Sequence, residues 1–274
     1  MERSHRSQLV GISEDEANPM STKNALWLII LMLLVGSDLA VVAKAAQQKE
    51  SRPNVYERAF QECVQARTGF GFDAKLTDPK RIKALLEKHI RLEIKSDALA
   101  RAAARGDVEL LNILIRHGAD VNYVDAQGQT VLMLATVHGF YAQCGNDSRL
   151  YSYGGNAWQV RKLLAAGPRL NDRDREGNTA LMLAAKYGRS DIVKLLLDAG
   201  ADIHLKNSHG ETALIHATSS IGTFDEANLK IAVKSLIAGR SNLNEKDEQC
   251  MTALAYAVRS PAIAAMLIFA GAIE

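Results

Sequence analysis

A unit of roughly 33 residues recurs along residues 96–274, and this recurrence limits the fold more than any other feature of the chain. The clearest copy runs Asp174-Arg-Glu-Gly-Asn-Thr-Ala-Leu-Met-Leu-Ala-Ala-Lys-Tyr-Gly188, continues through Ile192-Val-Lys-Leu-Leu-Leu197 and closes at Gly200-Ala-Asp-Ile203. It aligns with Asp125…Gly128-x-Thr130-x-Leu132…Ala135, with Gly210-x-Thr212-Ala-Leu214…Ala217 and with Thr252-Ala-Leu254…Ala257. An upstream copy, Ala102-Ala-Ala-Arg-Gly106-Asp…Leu110-Leu111…Gly118-Ala-Asp-Val-Asn122, lacks the Thr-x-Leu start. A unit this short cannot bury its apolar face alone, so the copies must stack and share one continuous core. Glycines 118, 167, 200, 239 and 271 close successive units at separations of 49, 33, 39 and 32 residues. Five prolines and 5% aromatic residues suit a helical body.

These motifs resemble the ankyrin repeat, over about residues 96–274. The resemblance implies an all-α solenoid of about five helix–turn–helix–hairpin units whose activity is binding another protein. Each residue type has a physical task in such a unit. Thr130, Thr179, Thr212 and Thr252 stand where a hydroxyl caps the first helix by accepting a backbone N–H. Leu132, Leu181, Leu214 and Leu254 fall on the buried side of that helix, and small residues such as Ala184 and Ala185 admit the next unit closely. Gly118 and Gly200 end second helices, where left-handed backbone suits glycine. The family's Thr-Pro-Leu-His start is replaced by Thr-Val-Leu-Met, Thr-Ala-Leu-Met, Thr-Ala-Leu-Ile and Thr-Ala-Leu-Ala. Looser stacking is therefore expected, with Met133, Met182 and Ile215 substituting apolar contact for the usual polar bridge. Cys250 stands where Gly128, Gly177 and Gly210 stand, so a distorted turn is expected there.

Two segments lie outside the repeat. Residues 46–95 are expected to form an N-terminal helical cap. Val55, Ala59, Phe60, Cys63 and Val64 share one face of its first helix. Its second helix is expected to start at Asp78-Pro79 and to carry Ile82, Leu85, Leu86, Ile90 and Ile94 as one apolar stripe. The 49-residue separation implies an insertion within 140–157, where Phe140, Tyr141, Tyr151 and Tyr153 sit among Gly, Ser and Asn. That composition suits a binding loop, because tyrosine rings anchor contacts at low entropic cost.

Ala25 to Val35 is an unbroken apolar run of eleven residues, shorter than the roughly 20 a spanning helix needs. With Lys23 before it and Ala43-Lys44-Ala45 after it, residues 1–45 are expected to be a leader with a signal peptide cut after Ala45. The acidic Glu14-Asp15-Glu16 does not suit an n-region, which makes Met20 a candidate start. The expected location is periplasmic or secreted; an uncleaved segment 25–43 would instead anchor the chain in a membrane. Membrane contact is expected only in that case.

The chemistry of enzymes finds no pattern here. There is no phosphate loop, HExxH or GxSxG, the seven histidines form no metal or triad spacing, and no cofactor, metal site or catalytic activity is expected. A formal net charge of +2 lacks the basic excess of a nucleic-acid binder. Outside the cytoplasm, Cys63 and Cys144 could pair and pin the insertion to the N-terminal helix, or remain free thiols. Position within the resemblance makes Tyr123, Asp125, Arg173, Arg175, Lys206, His209 and Lys246 hairpin-tip candidates for partner binding. Met133, Val137, Met182, Lys186 and Tyr187 are the concave-face candidates, and Tyr141, Tyr151 and Tyr153 the loop candidates. A partner enzyme that the chain inhibits or protects in the periplasm is a narrower form of the same expectation.

Overall fold

The computed structural model describes residues 53–68, 78–137 and 157–273. The leader, the candidate start at Met20, the membrane-anchor alternative, Cys144 and the tyrosines of the insertion lie outside the described residues. Twelve α-helices fill the described chain: α1 (Val55–Thr68), α2 (Pro79–Leu86), α3 (Leu92–Arg105), α4 (Val108–Arg116), α5 (Val131–Val137), α6 (Ala157–Ala165), α7 (Ala180–Lys186), α8 (Ser190–Asp198), α9 (Ala213–Ser219), α10 (Glu226–Ala238), α11 (Ala253–Tyr256) and α12 (Pro261–Phe269). A 3₁₀ turn, Ala257–Arg259, extends α11. The first helices α1, α3, α5, α7, α9 and α11 pack in succession as one row, and α4, α6, α8, α10 and α12 as a second row behind it. This is the all-α ankyrin solenoid, one helix pair per layer.

The first helices form for the local reasons their sequences suggest. Thr130, Thr179, Thr212 and Thr252 each accept from the backbone N–H three residues on, at 3.2, 3.4, 3.3 and 3.2 Å. Leu132, Leu181, Leu214 and Leu254 are buried, and Ala184 and Ala185 are wholly inaccessible between layers. Met133 and Met182 are also buried, at 1% exposure, so neither is available to a partner on the concave face. Their thioethers lie 3.5 Å from the cap backbone N–H of Thr130 and Thr179 and complete a capping box with sulfur as acceptor.

The N-terminal helices depart from expectation. Asp78 caps α2 and accepts from Lys80 N, with Pro79 at the first position as expected. The helix then ends at Leu86 instead of running on to Ile94. The cause is Glu57, 1% exposed on α1. Its carboxylate accepts from Arg91 N and Arg91 Nε, both at 3.0 Å, and so holds Arg91 extended, with α3 beginning at Leu92. Ile90 and Ile94 are both buried, but in a link and in the next helix. Glu57 and Asn54 also bond each other's backbone N–H reciprocally, at 2.9 and 2.8 Å, which starts α1. Phe60, Cys63 and Val64 face the core as their spacing predicts, whereas Val55 is 41% exposed. Arg67 at the far end of α1 pairs with Asp107, the cap of α4, and with Glu109.

Two backbone positions differ from the periodic reading. Gly118, Gly167, Gly200 and Gly271 take left-handed φ between 72 and 100°, but Gly239 does not, with φ −74°. Arg240 occupies that conformation instead, at φ 64°. Glycine here serves closeness: a Cβ on Gly239 would come 3.0 Å from Ile203 Cδ1. Cys250 keeps the turn of its glycine counterparts rather than distorting it, with φ 60° and a 3.0 Å bond from its N–H to Asp247 O. The counterparts Gly177 and Gly210 are pressed by the next hairpin, a Cβ meeting Ser208 N at 2.8 Å or Glu248 N at 3.2 Å. No described hairpin stacks on the turn at Cys250, whose side chain is exposed.

Candidate protein-binding surface

Four hairpin tips project beyond the first-helix row, and one device builds all four. Asp125, Asp174, Asn207 and Asp247 each accept, through Oδ1, from the backbone N–H groups two and four residues ahead, at 2.8–2.9 Å. An acceptor side chain that satisfies two orphan donors in its own turn fixes the tip, and isolated antiparallel bridges, Val124 with Thr130 and Lys246 with Thr252, flank the tips at Asp125 and Asp247. Asp125 is therefore a turn builder, its carboxylate already engaged. Adjacent tips are tied as well: Ser208 N donates to Glu176 O at 2.9 Å, and Glu248 N to His209 O at 3.0 Å.

Arg173 and Arg175 stand exposed on the third unit's tip, and each reaches a neighbouring tip. Arg173 Nη1 donates to Lys206 O, and Arg175 Nη2 to Ala126 O. Lys206 is half-buried and bridges onward, pairing with Glu245 at 2.6 Å and donating to Lys246 O at 3.2 Å. His209 and Lys246 are exposed, with side chains directed into no described ion pair. Tip charge changes along the stack, from Arg173 and Arg175 to Glu245, Asp247 and Glu248. A cleft of about 240 Å³ between the last two tips is lined by His209, Glu211, Asp247, Glu248 and Gln249. Above it, Tyr256 Oη donates to Asp247 Oδ2 at 2.7 Å, and burial together with that bond pushes the phenol up to about 12.

The aromatic candidates are placed unevenly. Tyr123 is half-buried against the core, and burial, then the charges of Asp97 and Asp125, raises its phenol. Tyr187, at the end of α7, meets Phe224 edge-on with ring centroids 5.3 Å apart. Phe224, which no motif of the sequence marks, sits in the segment between α9 and α10 and is 36% exposed. Lys186 and Val137 are half-buried at their helix ends. Tyr141, Tyr151 and Tyr153 lie outside the described residues.

Behind the tips lies a buried polar group that no repeat motif marks. His216, 4% exposed on α9, places Nε2 3.2 Å from Asn178 Oδ1, 3.1 Å from Asn207 Nδ2 and 3.4 Å from Glu211. Asn207 Nδ2 donates in turn to Asn178 Oδ1 at 2.9 Å. The third and fourth units are thus bridged by a histidine standing one residue beyond the position of the family's Thr-Pro-Leu-His histidine, which Ile215 occupies. Burial lowers the His216 pKa, against the opposing pull of Glu211. Asparagines make further joints: Arg169 N donates to Asn122 Oδ1 at 2.7 Å, Asp202 N to Asn171 Oδ1 at 3.0 Å and Ile273 N to Asn244 Oδ1 at 2.9 Å.

The described residues hold no cluster of three or more metal-ligating side chains, and none of their helices is long and apolar enough to cross a membrane. Cys63 is a buried free thiol whose pKa burial raises; its suggested partner Cys144 is outside the described residues.

The family model for ankyrin repeats (many copies) matches residues 163–217, and that for ankyrin repeats (3 copies) matches residues 72–144. The latter match reaches into the segment read from sequence as a cap. Among similar proteins, a transient receptor potential cation channel subfamily A member 1 homolog of Caenorhabditis elegans is 36% identical over 118 residues, 43% of this chain and 8% of the relative. The neurogenic locus Notch protein of Drosophila melanogaster is 40% identical over 101 residues, 35% of this chain and 4% of the relative. The neurogenic locus notch homolog protein 1 of Xenopus laevis is 30% identical over 146 residues, 53% of this chain and 5% of the relative. The chain thus spans less than a tenth of the length of each of these relatives.

Proposed function

We propose that this chain, a stack of ankyrin repeats, is a non-catalytic binding protein that holds one partner protein across its hairpin tips and the adjoining ends of its first helices. Ankyrin repeats generally mediate protein–protein interaction. The observation that carries the reading is the tip edge. Four identically built turns, tied to one another through Ser208, Glu248, Arg173 and Arg175, present exposed Arg173, Arg175, His209 and Lys246 on a preorganised support. Preorganisation lowers the ordering cost of association, and arginine with tyrosine supplies the usual anchors. Tyr187 with Phe224 extends the edge onto the helix ends, and Tyr123 adds to it on the hairpin side; the insertion with Tyr141, Tyr151 and Tyr153 adds a further contact. Export to the periplasm or outside the cell, with cleavage after Ala45, completes the proposal, and a partner enzyme held inactive or protected there is its narrower form. No nucleic acid, cofactor or metal has a part in it.

The test is capture of the partner from the extracytoplasmic fraction by the tagged chain and by Arg173→Glu/Arg175→Glu. The expected result is loss of the captured partner while the variant keeps the helical circular dichroism of the parent. Since both arginines also reach neighbouring tips, Tyr187→Ala with Phe224→Ala serves as a second variant that leaves the tips intact. Capture undiminished by either pair overturns the placement. Intact mass of the native protein tests export separately: a species starting at Ala46 is expected, and a full-length chain in the membrane fraction overturns it.

A further inference from the structure

The second-helix row ends in an apolar cleft, away from the hairpin tips. Every side chain of α12 (Pro-Ala-Ile-Ala-Ala-Met-Leu-Ile-Phe) is apolar. Only Ile263 and Leu267 among them are buried in the core. The outward side of the helix shows Ala262, Ala265, Ile268 at 59% and Phe269 at 96% exposure. Two layers earlier α8 presents Asp191, Lys194 and Asp198 to solvent. Together with Ile231 of α10, itself 52% exposed, Ile237, Met266 and Phe269 line a cleft of about 480 Å³ between α10 and α12. Scattered surface hydrophobics are ordinary, but a contiguous exposed apolar groove marks an interaction site.

One edge of the cleft is cationic. Lys230 and Lys234 line it from α10, one helical turn or about 6 Å apart along the axis. Both are exposed, and neither forms an ion pair among the described residues. The nearest acid in sequence, Glu226, accepts a hydrogen bond from Ser260. We propose that this cleft docks an amphipathic helix of a partner protein, with an aliphatic stripe on Ile231, Met266 and Phe269 and acidic side chains one turn apart against Lys230 and Lys234. The occupant follows from complementarity: helix-in-groove binding reads apolar anchors at i, i+3, i+4 and i+7, and paired acids answer two unpaired ammonium groups at that spacing. A second copy of the chain on a two-fold axis would bring the same lysine pair to both sides of the contact, setting like charges against each other.

The probe is a fluorescein-labelled 18-residue helical peptide with leucines at i, i+3, i+4 and i+7 and glutamates flanking them, titrated with the full chain at low salt and followed by anisotropy. Its counterpart with lysines in place of the glutamates is the control. Saturable binding of the acidic peptide is expected, at least tenfold tighter than that of the basic one. Lys230→Glu/Lys234→Glu should invert the order, and Phe269→Ser should weaken both by tenfold or more. Phe269 is exposed, so its variant should keep the helical circular dichroism and the urea midpoint of the parent. Equal binding of the two peptides, no binding of either, or indifference to Phe269→Ser overturns the proposal. Dimerisation in sedimentation that Phe269→Ser abolishes would assign the face to a second copy. Adsorption to phosphatidylserine vesicles without peptide binding would assign it to lipid. Either result also overturns the proposal, and none bears on the tip edge.

Discussion

Gly177 and Gly200 both hold left-handed backbone, at φ 80 and 92°, yet alanine should be far more costly at the first. A Cβ on Gly200 meets nothing within 4 Å, whereas on Gly177 it would lie 2.8 Å from Ser208 N and 2.9 Å from Ser208 Oγ. That nitrogen is part of the joint between tips, since it donates to Glu176 O. Left-handed backbone costs a non-glycine residue about 1–2 kcal/mol. The smaller entropy of the unfolded alanine chain returns about 0.4–1 kcal/mol. Gly200→Ala should therefore destabilise by about 1 kcal/mol. Gly177→Ala carries the same backbone term plus an overpacking cost of about 1–3 kcal/mol, because the obstructing atom is backbone and cannot rotate away. The expected total is about 2–4 kcal/mol. Urea unfolding followed by circular dichroism measures both, comparing midpoints at a common slope. Because each layer contacts only its neighbours, Gly177→Ala should also broaden or split the transition. Equal midpoints for the two variants would refute the claim that stacking of the next tip selects glycine at 177.

Cys250→Gly should raise stability by about 0.5–1 kcal/mol through relief of its φ of 60°, read as a higher urea midpoint; an unchanged or lower midpoint counts against strain at that turn. Burial lowers the His216 pKa below its ordinary 6.5, so the unfolded chain takes up this proton first. Stability from this group should be full above about pH 7.5 and fall as pH drops through 6.5 towards the folded value, a slope that His216→Gln should remove in midpoints measured from pH 8 to 5. Burial alone would raise the Glu57 carboxyl, but hydrogen bonds from Arg91 and Asn54 outweigh it and lower the pKa below its ordinary 4.5. Its contribution should thus be present above that value and be lost as pH falls below it, and Glu57→Ala should cost about 2–3 kcal/mol at pH 7 by stranding the Arg91 and Asn54 backbone donors. A loss under 0.5 kcal/mol for Glu57→Ala would mean that water replaces the carboxylate.

The parts of this protein legible in its sequence are those whose causes lie within a few residues. Threonine caps, buried leucines at helical spacing and the Asp78-Pro79 helix start depend on contacts three or four positions apart, and each was found where its motif stood. The stack followed from the same local units, because a helix pair with one apolar face has only a neighbouring pair to bury it against. Parts of the candidate surface were less legible. Asp125 reads as an exposed acid until its turn bonds are seen, and Met133 and Met182 stand both as stacking contacts and as concave-face residues until the layers close over them. Phe224 gained its meaning only from Tyr187, 37 positions away in the chain.

What the sequence by itself determined is the repeating unit and hence the solenoid, since its periodicity and caps act within one unit. Tertiary structure alone decided the rest. The buried carboxylate of Glu57 breaks an apolar stripe into two helices from 34 residues away. His216 bridges units through Asn178, 38 residues distant, and Cys250 takes the left-handed turn of its glycine counterparts with its side chain exposed. These outcomes depend on which groups meet across layers, and the balance of burial against hydrogen bonding at such meetings is set by spatial neighbours that no local pattern records.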